Sequence, residues 1–280
     1  MQNLFDEISF RTSCLVTQSY STSFSSAVRL LDRGIRPAIY SIYGFVRLAD
    51  EIVDTFHNYD KKELLQKFEN DYYDAVRCGI SLNPVLNAFQ ITVGKYGIPD
   101  DLIRAFLKSM KTDLVKQDHN TRDETAEYIY GSAEVVGLMC LRVFVLGNEK
   151  LYTELEAPAK RLGSAFQKVN FLRDIKDDTN LLNRKYFHTV LESGFDEKVK
   201  KEITDDVDEE FRDALQGIKK LPSNSRRGVL VAFYYYKKLL VIIRKTPAEK
   251  LLKQRVRVPD FVKLFLLIKA YIINKLNLLQ

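Results

Sequence analysis

Hydrophobic positions recur at three- and four-residue intervals from one end of this chain to the other, and no stretch shows the strict alternation of a strand. The pattern predicts helices throughout, and their starts carry recognisable signals. Asn83 stands before Pro84 as an N-cap stands before a first-turn proline, and Arg36-Pro37 and Ile98-Pro99 predict helix openings of the same kind. Asp60 with Glu63, and Thr121 with Glu124, have capping-box spacing. Ser223 is placed to cap a helix running through Tyr234-Tyr235-Tyr236. Connections are short, no Ser/Gly/Pro linker divides the chain, and no repeat of solenoid period is present. The reading is a single all-α domain over residues 1–280, with about ten helices.

Composition narrows this further. With 12 Gly and 7 Pro, the chain is poor in turn formers, which argues against an all-β fold and against Gly-rich nucleotide loops. Hydrophobic residues at 46% and charged residues at 29% exclude a disordered chain. No segment reaches about 18 uninterrupted apolar residues, so no membrane-spanning helix is expected. The first residues, Met1 to Glu7, lack the basic-then-apolar order of a signal peptide, which points to a cytoplasmic protein. Cys14, Cys78 and Cys140 are few, odd in number and far apart, as expected of reduced, buried thiols. The net charge of +6 is unevenly spread. Residues 219–280 carry 15 Lys and Arg against Glu249 and Asp260, while the remainder is mildly acidic. A basic end on an acidic body suggests contact with a phosphorylated substrate, a lipid surface or nucleic acid. That segment has no zinc-finger, RRM or basic-zipper signature, so nucleic acid is not expected as a partner.

Two helical segments carry the chemistry. In the first, residues 38–54, about 100° per residue puts Tyr43, Arg47, Asp50 and Asp54 on one stripe. The rest of that helix is apolar nearly all round, which marks it as buried. An isolated Asp pair four apart is ordinarily a solvated face, but carboxylates on a buried helix need cations. Arg47 alone cannot neutralise three neighbouring acids. In the second segment, residues 163–178, Gln167, Asn170, Asp174 and Asp178 share a stripe by the same arithmetic. Facing each other, the two helices would form an elongated pocket with an acidic mouth. Mg²⁺ takes oxygen ligands, keeps several waters and bridges to phosphates, so two opposed Asp pairs suggest diphosphate held through Mg²⁺. A third segment, residues 128–137, contains Gly131 and Gly137 inside a helical pattern, which suggests close helix packing or room for a ligand.

These residues resemble the squalene/phytoene synthase family. Ser21-Thr22-Ser23-Phe24 looks like its S-x-S-F element, and residues 43–54 look like its Y-x-x-x-R-x-x-D-[DE]-x-x-D motif. Gln167 to Asp174 followed by Asp178 looks like Q-x-x-N-x-x-R-D-x-x-x-D, with Arg184-Lys185-Tyr186 as the family's R-x-Y. Tyr236 and the 255–258 stretch resemble substrate contacts through shorter matches. The sequence departs from the pattern at Glu134, His188 and Tyr20, none of them a metal carboxylate.

The resemblance implies an isoprenoid-synthase-type helical bundle around a central cavity. It also implies head-to-head joining of two identical prenyl diphosphates through a cyclopropylcarbinyl diphosphate. By that resemblance Asp50, Asp54, Asp174, Asp178, Arg47 and Arg173 are catalytic, and Mg²⁺, with Mn²⁺ as a substitute, is held by the four aspartates and Asn170. Tyr20, Ser21, Ser23, Phe24, Tyr43, Tyr130, Gln167, Asn170, Tyr186, Tyr236 and Arg255 are implied substrate contacts, and Phe24, Tyr43 and Tyr130 would line a dry cavity. Phytoene formation from C20 diphosphates is the expected reaction. Squalene or dehydrosqualene formation from C15 diphosphates is the alternative. In residues 258–280, Asp260, Lys263, Asn274, Lys275 and Asn277 fall on one side of a helical projection, with Lys269 the exception. Peripheral contact with anionic lipid through this tail is a further expectation.

Overall fold

Local signals in the chain become helix boundaries where the caps are satisfied. The Asn83 side chain accepts hydrogen bonds from Val85 N (3.0 Å) and Leu86 N (3.4 Å). Asp60 accepts from Glu63 N at 2.9 Å and Thr121 from Glu124 N at 3.1 Å. These bonds occupy backbone donors that a helix start leaves unpaired. A computed structural model describes residues 2–115, 121–180, 190, 194–259 and 262, and the side chains of all of these except 2 and 177–180. The first half comprises α1 (Gln2–Tyr20), α2 (Thr22–Val28), α3 (Arg36–Asp54), α4 (Lys61–Cys78), α5 (Pro84–Tyr96) and α6 (Asp100–Asp113). Then follow α7 (Arg122–Ile129), a π-helical turn (Tyr130–Glu134), α8 (Val135–Val145) and α9 (Glu149–Asn180). The last are α10 (Glu197–Lys220), α11 (Ser223–Lys245) and α12 (Ala248–Leu251). No strand occurs among the described residues.

Three expectations are corrected. Ser223 begins α11 but does not cap it. Pro222 is the N-cap, and its carbonyl accepts from Ser225 N and Arg226 N. Pro99 likewise stands at the N-cap of α6 and not in its first turn, so that helix opens at Asp100. Cys78 is exposed at the end of α4, where the helix runs out to the surface, and Cys14 and Cys140 are half-buried. The run Arg122–Val145 has the length and composition of a membrane-crossing helix. It is packed against α6 and α9 as a core element.

The core has two parts that share α3. On one side Phe45 stacks on Phe89, ring centroids 4.0 Å apart, within a cluster that includes Phe68, Tyr72 and Phe106. These rings fix α3 against α4, α5 and α6 and bury 0–7% exposed aromatics behind it. The other side of α3 looks across a cavity of about 1120 Å³ toward α9. Helices α8, α9 and α10 pack antiparallel along that cavity. Gly137 of α8 sits against the Ala159 carbonyl, where a Cβ would come within 3.2 Å. Ser164 donates to Glu210 at 2.8 Å, and Lys220 pairs with Glu154 at 2.7 Å. Gly131 lies against Ala105 and Ser109 of α6, and a Cβ there would come within 2.8 Å of both. The glycines inside the helical pattern therefore serve close packing.

Candidate active site

Asp50 and Asp54 lie one turn apart near the end of α3, a helix whose first half is buried. Both line the cavity, as do Tyr43 and Arg47 of the same stripe. The Arg47 guanidinium pairs with Glu51 and stands over the Tyr20 ring, 4.3 Å from its centroid. It therefore does not fold back onto the Asp50 carboxylate. Burial, followed by the Asp54 charge, pushes Asp50 up to about 7, against an opposing effect of Arg47. Tyr43 stacks on Phe24 at 4.9 Å, and burial raises its phenol above the usual tyrosine value. Ser21 caps α2 by accepting from Phe24 N at 3.2 Å, which fixes the turn that brings Ser21, Ser23 and Phe24 to the cavity.

On α9 the stripe Leu155, Pro158, Ala159, Leu162, Phe166, Gln167, Asn170 and Asp174 faces the cavity at helical spacing. Gln167 Nε2 donates to Ser132 Oγ at 3.4 Å. Asn170 stands beside the Tyr236 phenol, and its Oδ1 is buried with no hydrogen-bond partner. Tyr236 in turn stacks on Phe166 at 4.0 Å. Asp174 is held from two directions. Arg173 donates to it through Nε (3.0 and 3.1 Å) and Nη2 (2.5 Å), and Arg255, from the segment after α12, donates through Nη2 at 3.2 Å with its Nε in an ion pair at 2.6 Å. Burial alone would lower the Arg173 pKa. Its Asp174 partner outweighs that and holds the guanidinium firmly charged.

Of the sequence-predicted residues, Tyr20, Ser21, Ser23, Phe24, Tyr43, Arg47, Asp50, Asp54, Gln167, Asn170, Arg173, Asp174, Tyr236 and Arg255 all line this one cavity. Tyr130 does not. It starts the π-turn and lies near Lys160, 5.8 Å from its ring centroid. Tyr128 takes the cavity position instead, since residues two apart point about 200° away from each other around a helix. Tyr186 lies outside the described residues, and so does the side chain of Asp178, whose backbone belongs to α9. The pattern of Asp pairs did not single out Asp113. Its buried carboxylate accepts from Tyr128 Oη at 2.8 Å, lines the cavity and adds to the field that raises Asp50. Tyr128 also stacks on Phe171 of α9 at 6.1 Å, so it joins the acidic end of α6 to α9. The available signal was a carboxylate continuing the apolar stripe Phe106, Met110, Asp113. Among the described residues no three His, Cys, Asp or Glu side chains converge closely enough to chelate an ion by themselves.

Helices enclosing a long cavity with aspartates and arginines at one end define a terpenoid-synthase-type all-α fold. The chain belongs to the squalene/phytoene synthase family of prenyltransferases, whose family model matches residues 17–261. It is 30% identical over 175 residues to phytoene synthase of Arthrospira platensis, covering 58% of this chain and 56% of that protein. Chloroplastic phytoene synthase 1 of Zea mays is 31% identical over 166 residues, which is 58% of this chain and 40% of the relative. The match thus spans about half the length of these curated relatives. Among solved structures, a dehydrosqualene synthase in complex with ligand superposes with a TM-score of 0.84 at 21% identity, covering 96% of this chain and 98% of that one. Squalene synthase HpnC from Alicyclobacillus acidocaldarius gives 0.74 at 21%, covering 85% and 93%. At such identities the likeness concerns the fold.

Proposed function

We propose that this chain is a phytoene synthase. It joins two geranylgeranyl diphosphates head to head through a cyclopropylcarbinyl diphosphate, with release of both diphosphates. The observation that carries the reading is the polarity of the cavity. The charged side chains that line it gather around Asp50 and Asp174, and the far end is apolar. Such a cavity suits an amphiphile with an anionic head and a long hydrocarbon tail. The choice of C20 over C15 rests on the curated relatives, which are named as phytoene synthases.

The described donor set at the charged end is all oxygen: Asp50, Asp54, Asp174 and Asn170, whose Oδ1 is buried and unpaired, and the family resemblance adds Asp178. This set fits Mg²⁺, or Mn²⁺ in its place, with waters and phosphates completing the shell. When bound, the ion neutralises charge that develops on a departing diphosphate. Arg47, Arg173 and Arg255 offer charge-assisted hydrogen bonds to the same phosphate oxygens. Phe24, Tyr43 and Tyr236 present ring faces beside the charged end, where they favour an allylic cation and keep water away from it. We place the protein in the cytoplasm, in peripheral contact with lipid through residues 258–280, because its substrates and product are themselves lipids.

Incubation with Mg²⁺ and either C15 or C20 diphosphate, followed by identification of the hydrocarbon, tests the reading. Phytoene formed without NADPH is expected, with kcat/KM higher for C20. Equal or better turnover of C15 to a C30 hydrocarbon overturns the assignment.

A further inference from the structure

Resting on the phytoene synthase reading, we propose that substrate length is measured by the last helical turn of the cavity, where Leu155, Pro158 and Ala159 of α9 meet Phe144 of α8, Gly217 of α10 and Leu221 just after it. All six line the cavity, and on α9 the lining ends at Leu155. This closed end cannot recede. Gly217 lies so close to Pro158 that a Cβ on it would stand 2.3 Å from the proline Cβ, so the two helices meet there backbone to ring. Leu155 and Leu221 are 2% and 6% exposed, so these two side chains wall this end off from solvent.

The distances suit a C20 tail. With the diphosphate held at the level of Asn170 to Asp174, the helix rises about 22 Å from Asn170 down to Leu155, at about 1.5 Å per residue. Each prenyl unit adds four main-chain bonds of about 1.5 Å, which in a zigzag advance the chain by roughly 5 Å. One unit therefore matches one helical turn, whose pitch is about 5.4 Å. Four units reach the Leu155 level at about 20 Å, whereas three stop near Ala159 to Leu162, about one turn short. A side chain that fills the last turn excludes the fourth unit before it disturbs the first two.

Two substitutions in the full chain test this with Mg²⁺ and C15, C20 and C25 diphosphates. Ala159→Phe is expected to lower the C20-to-C15 ratio of kcat/KM at least tenfold, C20 turnover falling further than C15 turnover. Phe144→Ala, which opens the closed end, is expected to admit C25 diphosphate that the wild-type chain rejects. If folded Ala159→Phe keeps the wild-type ratio, the ruler is refuted. Should that variant fail to fold, the Phe144→Ala result decides: C25 turnover supports the ruler and its absence overturns it. Failure of the parent reading shows in the wild-type chain alone, as C15 turnover equal to or above C20, and it overturns the ruler as well. Failure of the ruler alone shows as a wild-type C20 preference that neither substitution shifts.

Discussion

Replacing Asp50 by Asn should make the metal-free protein more stable and at the same time inactive. Folded Asp50 keeps its proton to about pH 7 because burial and the Asp54 charge disfavour the carboxylate, whereas the unfolded chain releases it near 3.8. Between those values the folded state holds the extra proton, so stability falls as pH rises through that window and levels off above it. At 1.36 kcal/mol per unit, the cost of Asp50 is at most about 4 kcal/mol at pH 8 and about 2 at pH 5. Solvent at the cavity mouth screens part of this, so about half of the difference, near 1 kcal/mol, is a working value for the change between the two pH values. Asn has nearly the same volume and no charge to desolvate. Thermal unfolding in excess EDTA should therefore give Asp50→Asn a higher midpoint than wild type at pH 8. The advantage should shrink by about 2 °C at pH 5. The same variant should lose turnover by orders of magnitude in Mg²⁺, because stabilising a departing diphosphate is a transition-state effect. A variant less stable than wild type at pH 8, or an equal gain at both pH values, refutes a desolvated, charge-crowded Asp50. Near-normal turnover in that variant, or in wild type with excess EDTA, refutes its place in the chemistry.

Arg255→Gln removes one of the two guanidiniums on Asp174 and one donor to phosphate. KM for the diphosphate should rise about tenfold, the worth of one charge-assisted hydrogen bond, and an unchanged KM would place Arg255 outside the substrate site. Gly217→Ala forces a methyl into Pro158. Chemical denaturation should show a loss of about 1–3 kcal/mol from overpacking, and wild-type stability would mean that α9 and α10 are not in contact there. The tail should carry the chain onto anionic vesicles at low salt, and Lys263→Gln with Lys275→Gln should release it. Sedimentation that is absent, or unaffected by these changes, removes the lipid contact.

What the sequence determined by itself was whatever depends on neighbours a few residues away. A helix repeats every 3.6 residues, so spacing alone put Tyr43, Arg47, Asp50 and Asp54 on one face, and Gln167, Asn170 and Asp174 on another. The caps at Asp60, Asn83 and Thr121 are likewise contacts within three residues, and the structure forms all three. Tertiary structure decided what lies across the cavity. Asp113 and Tyr128 meet through Gly131, which lets the π-turn close on α6. The same turn leaves Tyr130 beside Lys160 and gives the cavity to Tyr128. Arg255 reaches Asp174 from the segment after α12, a helix tied to α10 at its start by Glu197, which accepts from Ala248 N at 2.6 Å. The depth of the cavity follows from Gly217 settling on Pro158. Periodicity and capping are written in short-range sterics and hydrogen bonds, which any window of sequence contains. Which helix faces meet, how closely and in what register is settled by packing among residues far apart in the chain, where a missing Cβ at one glycine can move a whole helix.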